Sequence, residues 1–165
     1  MNKATPHLTI NNRPRARSRR QAMLELALIL PIFLLILMAI VEAGRLLLIY
    51  SSVSSASREA ARFGAGVGLT NRAALTPPYS DCAGIIAAAR RVTFLDTLDT
   101  IVINYDNPQT GFSHTGCPPS QISVGDRIVV TVTATYQPIV PLLQLNAIPI
   151  TSETRRTILK EVWID

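Results

Sequence analysis

Apolar residues crowd one stretch near the start of the chain and alternate with polar ones near its end. Leu26 to Val41 is sixteen residues without a charge. With the flanking Ala22–Leu24 and Ala43–Tyr50, the apolar zone exceeds the roughly 20 residues a helix needs to cross a bilayer. Pro31 removes one backbone hydrogen bond inside this span and predicts a bend, which lipid helices tolerate. The helical pattern continues past Tyr50, because SSVSSASREAARFGAGVG carries no breaker before its glycines. A helix over about 21–65 is therefore predicted, roughly 65 Å long at about 1.5 Å per residue.

Beyond the turn-rich Thr76-Pro77-Pro78-Tyr79, the run Asp81–Leu95 reads as a short helix. Cys82, Ile85, Ile86, Ala89 and Val92 share one face, while Arg90 and Arg91 point away. Ile101–Tyr105 reads as a strand and Asn107–Pro119 as a loop. In Ile128–Tyr136, Ile128, Val130, Val132, Ala134 and Tyr136 alternate with Val129, Thr131, Thr133 and Thr135, the period of a strand with two distinct faces. A last strand is predicted from about Thr151 to Trp163. The fold class is α+β: a long N-terminal transmembrane helix continuing as a stalk, then a small extracytoplasmic domain with one helix packed on an antiparallel sheet. The boundaries read as a basic arm (1–20), a transmembrane helix (21–50), a helical stalk (51–68) and the outer domain (69–165).

Charge changes this picture only in its orientation. The net charge is +5, but Lys3, Arg13, Arg15, Arg17, Arg19 and Arg20 all lie in the arm, which has no acid. From Ser51 onward the nine basic residues are matched by nine acidic ones. Arginines before a span hold that end in the cytoplasm and favour anionic lipid, so the remainder is exported. Nucleic-acid binding would need the charge spread over a folded, groove-reading face, and it is not. A secretory signal fits poorly, because the apolar core is too long and Glu42-Ala43-Gly44-Arg45 is a poor cleavage site.

Several residues invite a role. Glu25 lies at the margin of hydrocarbon, where a carboxylate is a functional candidate by default; the alternative is an interfacial residue favoured by the helix dipole. Ser57, Ala61 and Gly64 form part of a small-residue stripe, suited to close helix–helix approach or to packing under the chain's own outer domain. Glu42 and Arg45, three apart, are spaced to pair near the outer interface. Cys82 and Cys117 both fall in the exported part, where oxidation is permitted. Bridged, they close a loop worth roughly 4 kcal/mol in the chain-entropy picture; otherwise they are two free buried thiols. With His114 they do not complete a zinc set. The connector Gln137–Pro149 is uncharged and rich in aliphatics, among them Ile139, Val140, Leu142, Leu143 and Leu145. It reads as core under the sheet or as a patch for the outer leaflet or a partner. No catalytic constellation, cofactor motif or metal set appears: both histidines fall in the arm or a loop, and Gly64-x-Gly66-x-Gly68 lacks the spacing and lysine of a phosphate loop.

The run RRQAMLELALILPIFLLILMAIVEAGRLLLIYSSVSSASREAARFGA resembles the N-terminal region of TadE-like proteins, pseudopilins of the Tad (tight adherence) pilus and secretion system. The matching motifs are Gln21-Ala22, Glu25, Leu30-Pro31, Glu42-Ala43-Gly44-Arg45 and Ser57-Arg58-Glu59-Ala60-Ala61-Arg62. Val124–Val132 and Pro138–Pro141 resemble later blocks of the family more loosely. The resemblance implies a minor pseudopilin of the inner or plasma membrane that helps to build or prime a pilus. Its partners would be other pilins, an assembly platform, lipids and a prepilin peptidase cutting between Arg20 and Gln21, which leaves Glu25 as the fifth residue. One position departs from the pattern: Arg20 stands where that class usually has glycine. Two outcomes follow, loss of residues 1–20 or a permanently attached arm. The rival from another class is a bitopic binding or sensor protein with an extracytoplasmic ligand-binding domain.

Overall fold

The computed structural model describes residues 15–71, 75–93, 98–139 and 146–159, with side chains from Arg20 onward. The arm up to residue 14, and Leu95, Val140, Leu142, Leu143, Leu145 and Trp163, lie outside the described residues. The first element is a single helix, α1, over Arg15–Gly64, which runs through Pro31. It contributes to two compact units that divide between Val41 and Glu42.

In the first unit every described side chain from Arg20 to Val41 is exposed. This part of α1 is long and apolar enough to cross a membrane. A helix that is hydrophobic all round is stable only where apolar surroundings cover it, so this stretch is a candidate membrane span.

The second unit is an antiparallel sheet packed on helices. Helix α2 is Cys82–Arg91, and the strands are β1 (Thr100–Asn107), β2 (Phe112–Thr115), β3 (Arg127–Tyr136) and β4 (Ile148–Thr157). The strand order is β2-β1-β3-β4, and every neighbouring pair is antiparallel. The α+β class is as expected. Asp81 starts α2 by accepting a hydrogen bond from the Gly84 amide at 2.8 Å, which satisfies one of the amides that a helix start leaves free.

The core joins the alternate residues of β1 and β3 to both helices. Ile103 and Tyr105 of β1, and Ile128, Val130, Val132, Ala134 and Tyr136 of β3, are buried against Ile49, Val53, Ala56, Ala60 and Ala61 of α1 and Ile85 and Ala89 of α2. The alanines keep this helix face free of long side chains where it packs with the sheet. Each fully buried Val or Ile here contributes roughly 1.5–3 kcal/mol.

Three elements differ from expectation. The predicted loop 107–119 contains β2, which pairs with the end of β1. Val92 is the exposed C-cap of α2 rather than part of its inner face, and Ala88 is buried instead. The last strand begins at Ile148, inside the predicted connector, and ends at Thr157. Its Ile148–Tyr136 pairing with β3 draws the strand back into the connector.

Candidate functional site

The residues of interest fall at three levels along α1. Arg20, Gln21 and Glu25 lie on its first turns among the described side chains, and all three are exposed.

Ser57, Ala61 and Gly64 sit at the far end. Of the two arrangements open to this stripe, the structure has the sheet of the same chain against it. Ser57 and Ala61 are fully buried. The Ser57 hydroxyl lies 3.0 Å from Ser152 Oγ and 2.9 Å from Thr154 Oγ1 of β4, and donates to the Ser54 carbonyl at 3.1 Å. A buried hydroxyl needs such partners, and here they tie helix to strand. At Gly64 an added Cβ would fall 2.3 Å from Ile128 Cδ1 and 3.3 Å from Ile85 Cδ1. The opposite face, Gly44, Leu48, Ser51, Ser55, Arg58 and Arg62, remains exposed, and a Cβ at Gly44 would meet open space.

Between these levels lies a cluster centred on Glu42. Its Oε2 accepts from the Tyr136 hydroxyl at 2.5 Å and from Arg45 Nη1 at 3.4 Å, and its Oε1 accepts from the Ile139 amide at 2.7 Å. The Arg45 guanidinium also stands over the Tyr136 ring, 5.3 Å from its centre, a cation–π arrangement. The hydrogen bond to Glu42 raises the pKa of Tyr136, with burial acting in the same direction. The spacing of Glu42 and Arg45 was legible in sequence. The part played by Tyr136 was not, although a tyrosine ending an apolar strand face carries a hydroxyl that wants a partner.

Cys82 and Cys117 form a disulfide, with Cα atoms 5.8 Å apart, within the range such a bond requires. It joins the start of α2 to the loop after β2. Beside it the Tyr105 hydroxyl donates to the Tyr79 carbonyl at 2.6 Å and lies 3.3 Å from Cys117 Sγ. Burial pushes the pKa of Tyr105 well above its ordinary value. His114, expected in a loop, is on β2 with its ring 6.2 Å from that of Tyr105. Among the described residues no group of His, Cys, Asp or Glu is placed to hold a metal ion.

Polar residues elsewhere in the domain have structural partners. Asp126 Oδ1 accepts from Asn107 Nδ2 at 2.8 Å and its Oδ2 from the Ser123 amide at 2.6 Å, which braces the turn entering β3. Arg127 makes a two-pronged contact with Asp106, both distances 2.8 Å. That hydrogen bond holds the Asp106 carboxyl below its ordinary pKa, with a further contribution from Arg155.

No curated protein and no solved structure matches the chain. Residues 21–62, which contain Glu25, the apolar run and the Glu42–Arg45 pair, match the family model described as TadE-like protein. Over this stretch, which starts with the candidate span and stops just short of the end of α1, the chain is similar to the TadE-like family.

Proposed function

We propose that the protein is a minor pseudopilin that takes part in assembling or priming a Tad pilus at the inner or plasma membrane. One observation carries the reading: the TadE-like match falls on a helix whose residues 20–41 are exposed throughout. The apolar run makes that surface costly in water, and both lipid and the like helices of other pilins relieve the cost. The arginines of the arm favour a cytoplasmic N-terminus, with the disulfide-bonded domain outside. Within a helix bundle Glu25 takes a positive partner, such as the freed N-terminal amine of a neighbour once a prepilin peptidase has cut after Arg20. Because the sheet occupies the Ser57, Ala61 and Gly64 side of α1, contact with other pilins above the membrane uses the opposite face, where Gly44, Ser51 and Ser55 permit close approach. The apolar connector with Ile139, Val140, Leu142, Leu143 and Leu145 is a second contact, toward lipid or the assembly platform. The reading assigns no catalytic step to this chain.

Photocrosslinkers placed at Leu34, Gly44 and Ser51 in native membranes test this. Adducts with pilin-like helices are expected from all three positions. Adducts with lipid alone from every position would overturn the assembly role. Intact-mass measurement of the same membrane form reads the processing directly, as loss or retention of residues 1–20.

A further inference from the structure

We propose that an apolar groove where α1 ends, flanked by Arg62 and Arg91, is the docking site of the chain's own segment 160–165, which seats Trp163 in it as a clasp on the sheet domain. Residues 160–165 lie outside the described residues, and their sequence is KEVWID.

Two adjoining cavities make the groove. One, of about 270 Å³, has Val67, Leu69, Pro78 and Leu159 in its lining. The other, of about 400 Å³, shares Val67, Leu69 and Pro78 and adds Phe63, Arg62 and Arg91. The chain leaves α1 through Gly68, whose φ of +102° suits glycine and few other residues. Beside that turn Val67 is 66% exposed, and Leu69 and Leu159 are also open. Large aliphatic side chains left uncovered around one groove mark a contact surface.

Reach and chemistry select the occupant. Ile158 is buried, with its amide bonded to the Asp126 carbonyl at 2.9 Å, so the chain is anchored up to Leu159 on the groove wall. Six further residues extend to about 20 Å, enough to pass along two cavities that share walls. Alternate residues of an extended segment share a side, which groups Glu161, Trp163 and Asp165: an indole between two carboxylates. The groove offers the complement. Arg62 already holds Glu59 at 2.7 and 2.9 Å. Arg91 has no hydrogen bond or ion pair of its own among the described residues, so it is the guanidinium left for Asp165, and indole is the ring face that such cations prefer. Attachment favours this segment over a separate partner of the same chemistry. A short tether holds its own end at an effective concentration of about millimolar, which a free peptide would have to exceed.

Trp163 is the sole tryptophan of the chain, so its fluorescence reads the contact in the full-length protein in detergent micelles. The parent should emit in the blue and resist quenching by acrylamide. Leu69→Asp and Arg91→Glu change exposed side chains of the groove, and each should move the emission to the red and raise the quenching severalfold. Adding Asp165→Lys to Arg91→Glu restores an ion pair of reversed sign and should recover the parent spectrum, a rescue that a misfolded domain would not give. Red, readily quenched emission from the parent would overturn the proposal. So would blue emission that neither groove variant alters, because detergent or another surface would then cover the indole. Diluting the parent into an excess of the Trp163→Phe protein separates the last alternative. An unchanged spectrum keeps the clasp within one chain, whereas a change on mixing would assign the groove to the segment of a second copy and overturn it.

Discussion

The Tyr136 hydroxyl donates to Glu42 Oε2 across 94 positions of sequence, joining the last residue of the inner strand β3 to the helix just past its uncharged run. The contact sits where a carboxylate would otherwise force the chain into water, and it fixes the strand end against α1. Its consequences are measurable.

Tyr136→Phe removes the hydroxyl and leaves the ring under Arg45. Thermal unfolding of the detergent-solubilised protein should begin a few degrees lower, a loss that scales with the small entropy of unfolding of a domain this size. Glu42→Gln should cost a similar amount, and the double variant less than the sum, because both changes break the same bond. Additive losses would show that the two residues do not share an interaction.

The disulfide carries a larger share. Cys82→Ser or Cys117→Ser should destabilise the sheet domain by about 2–5 kcal/mol, the usual range for a small disulfide-bonded domain. The reading is a denaturation midpoint with and without reductant. The parent should respond to reductant and the variants should not.

Gly64 is closed in by its neighbour. Gly64→Ala places a methyl group against Ile128 Cδ1, and overpacking of a filled core typically costs about 1–3 kcal/mol. The gain in helix propensity is small at the last helical residue. Ile128→Val removes the clashing carbon, so the pair Gly64→Ala/Ile128→Val should recover stability relative to Gly64→Ala alone. A stabilised single variant would mean that Ile128 gives way freely.

Asp106 makes part of the domain's stability depend on pH in the acid range. Its folded pKa lies below the ordinary value because Arg127 hydrogen-bonds the charged form. The contribution is present above the unfolded pKa of about 3.9 and is lost as pH falls through the folded value. Asp106→Asn should therefore flatten the acid limb of a stability–pH curve below about pH 4. Glu59, lowered by its bond to Arg62, should leave a residual slope. An unchanged limb would exclude Asp106 as its source.

Glu25→Gln should leave insertion and domain stability unchanged, since Glu25 lies exposed at the far end of α1 from the domain core. Pilus output should fall while the protein level stays constant. Normal output at a normal level would remove the special role proposed for this carboxylate.

The patterns that sequence alone settled are local ones. An uncharged run needs only its own residues to declare a candidate span, and the alternation from Ile128 to Tyr136 needs only the two-residue period of a strand to declare its inner face. The cysteine pair was readable for a related reason, since two thiols in a segment read as exported have one way to bridge. Surface matching between distant segments decided the rest. Ser57, Ala61 and Gly64 suit a neighbouring helix as well as a sheet, because small side chains accept any close surface, and only the docked strands show which one took the place. Phe112–Thr115 carries no apolar alternation, so β2 exists through its pairing with β1 and not through its composition. Glu42 and Tyr136 each look ordinary where they stand. The carboxylate at the edge of an apolar helix is satisfied by a hydroxyl that sheet pairing brings to it, and no short-range pattern encodes a meeting across that distance.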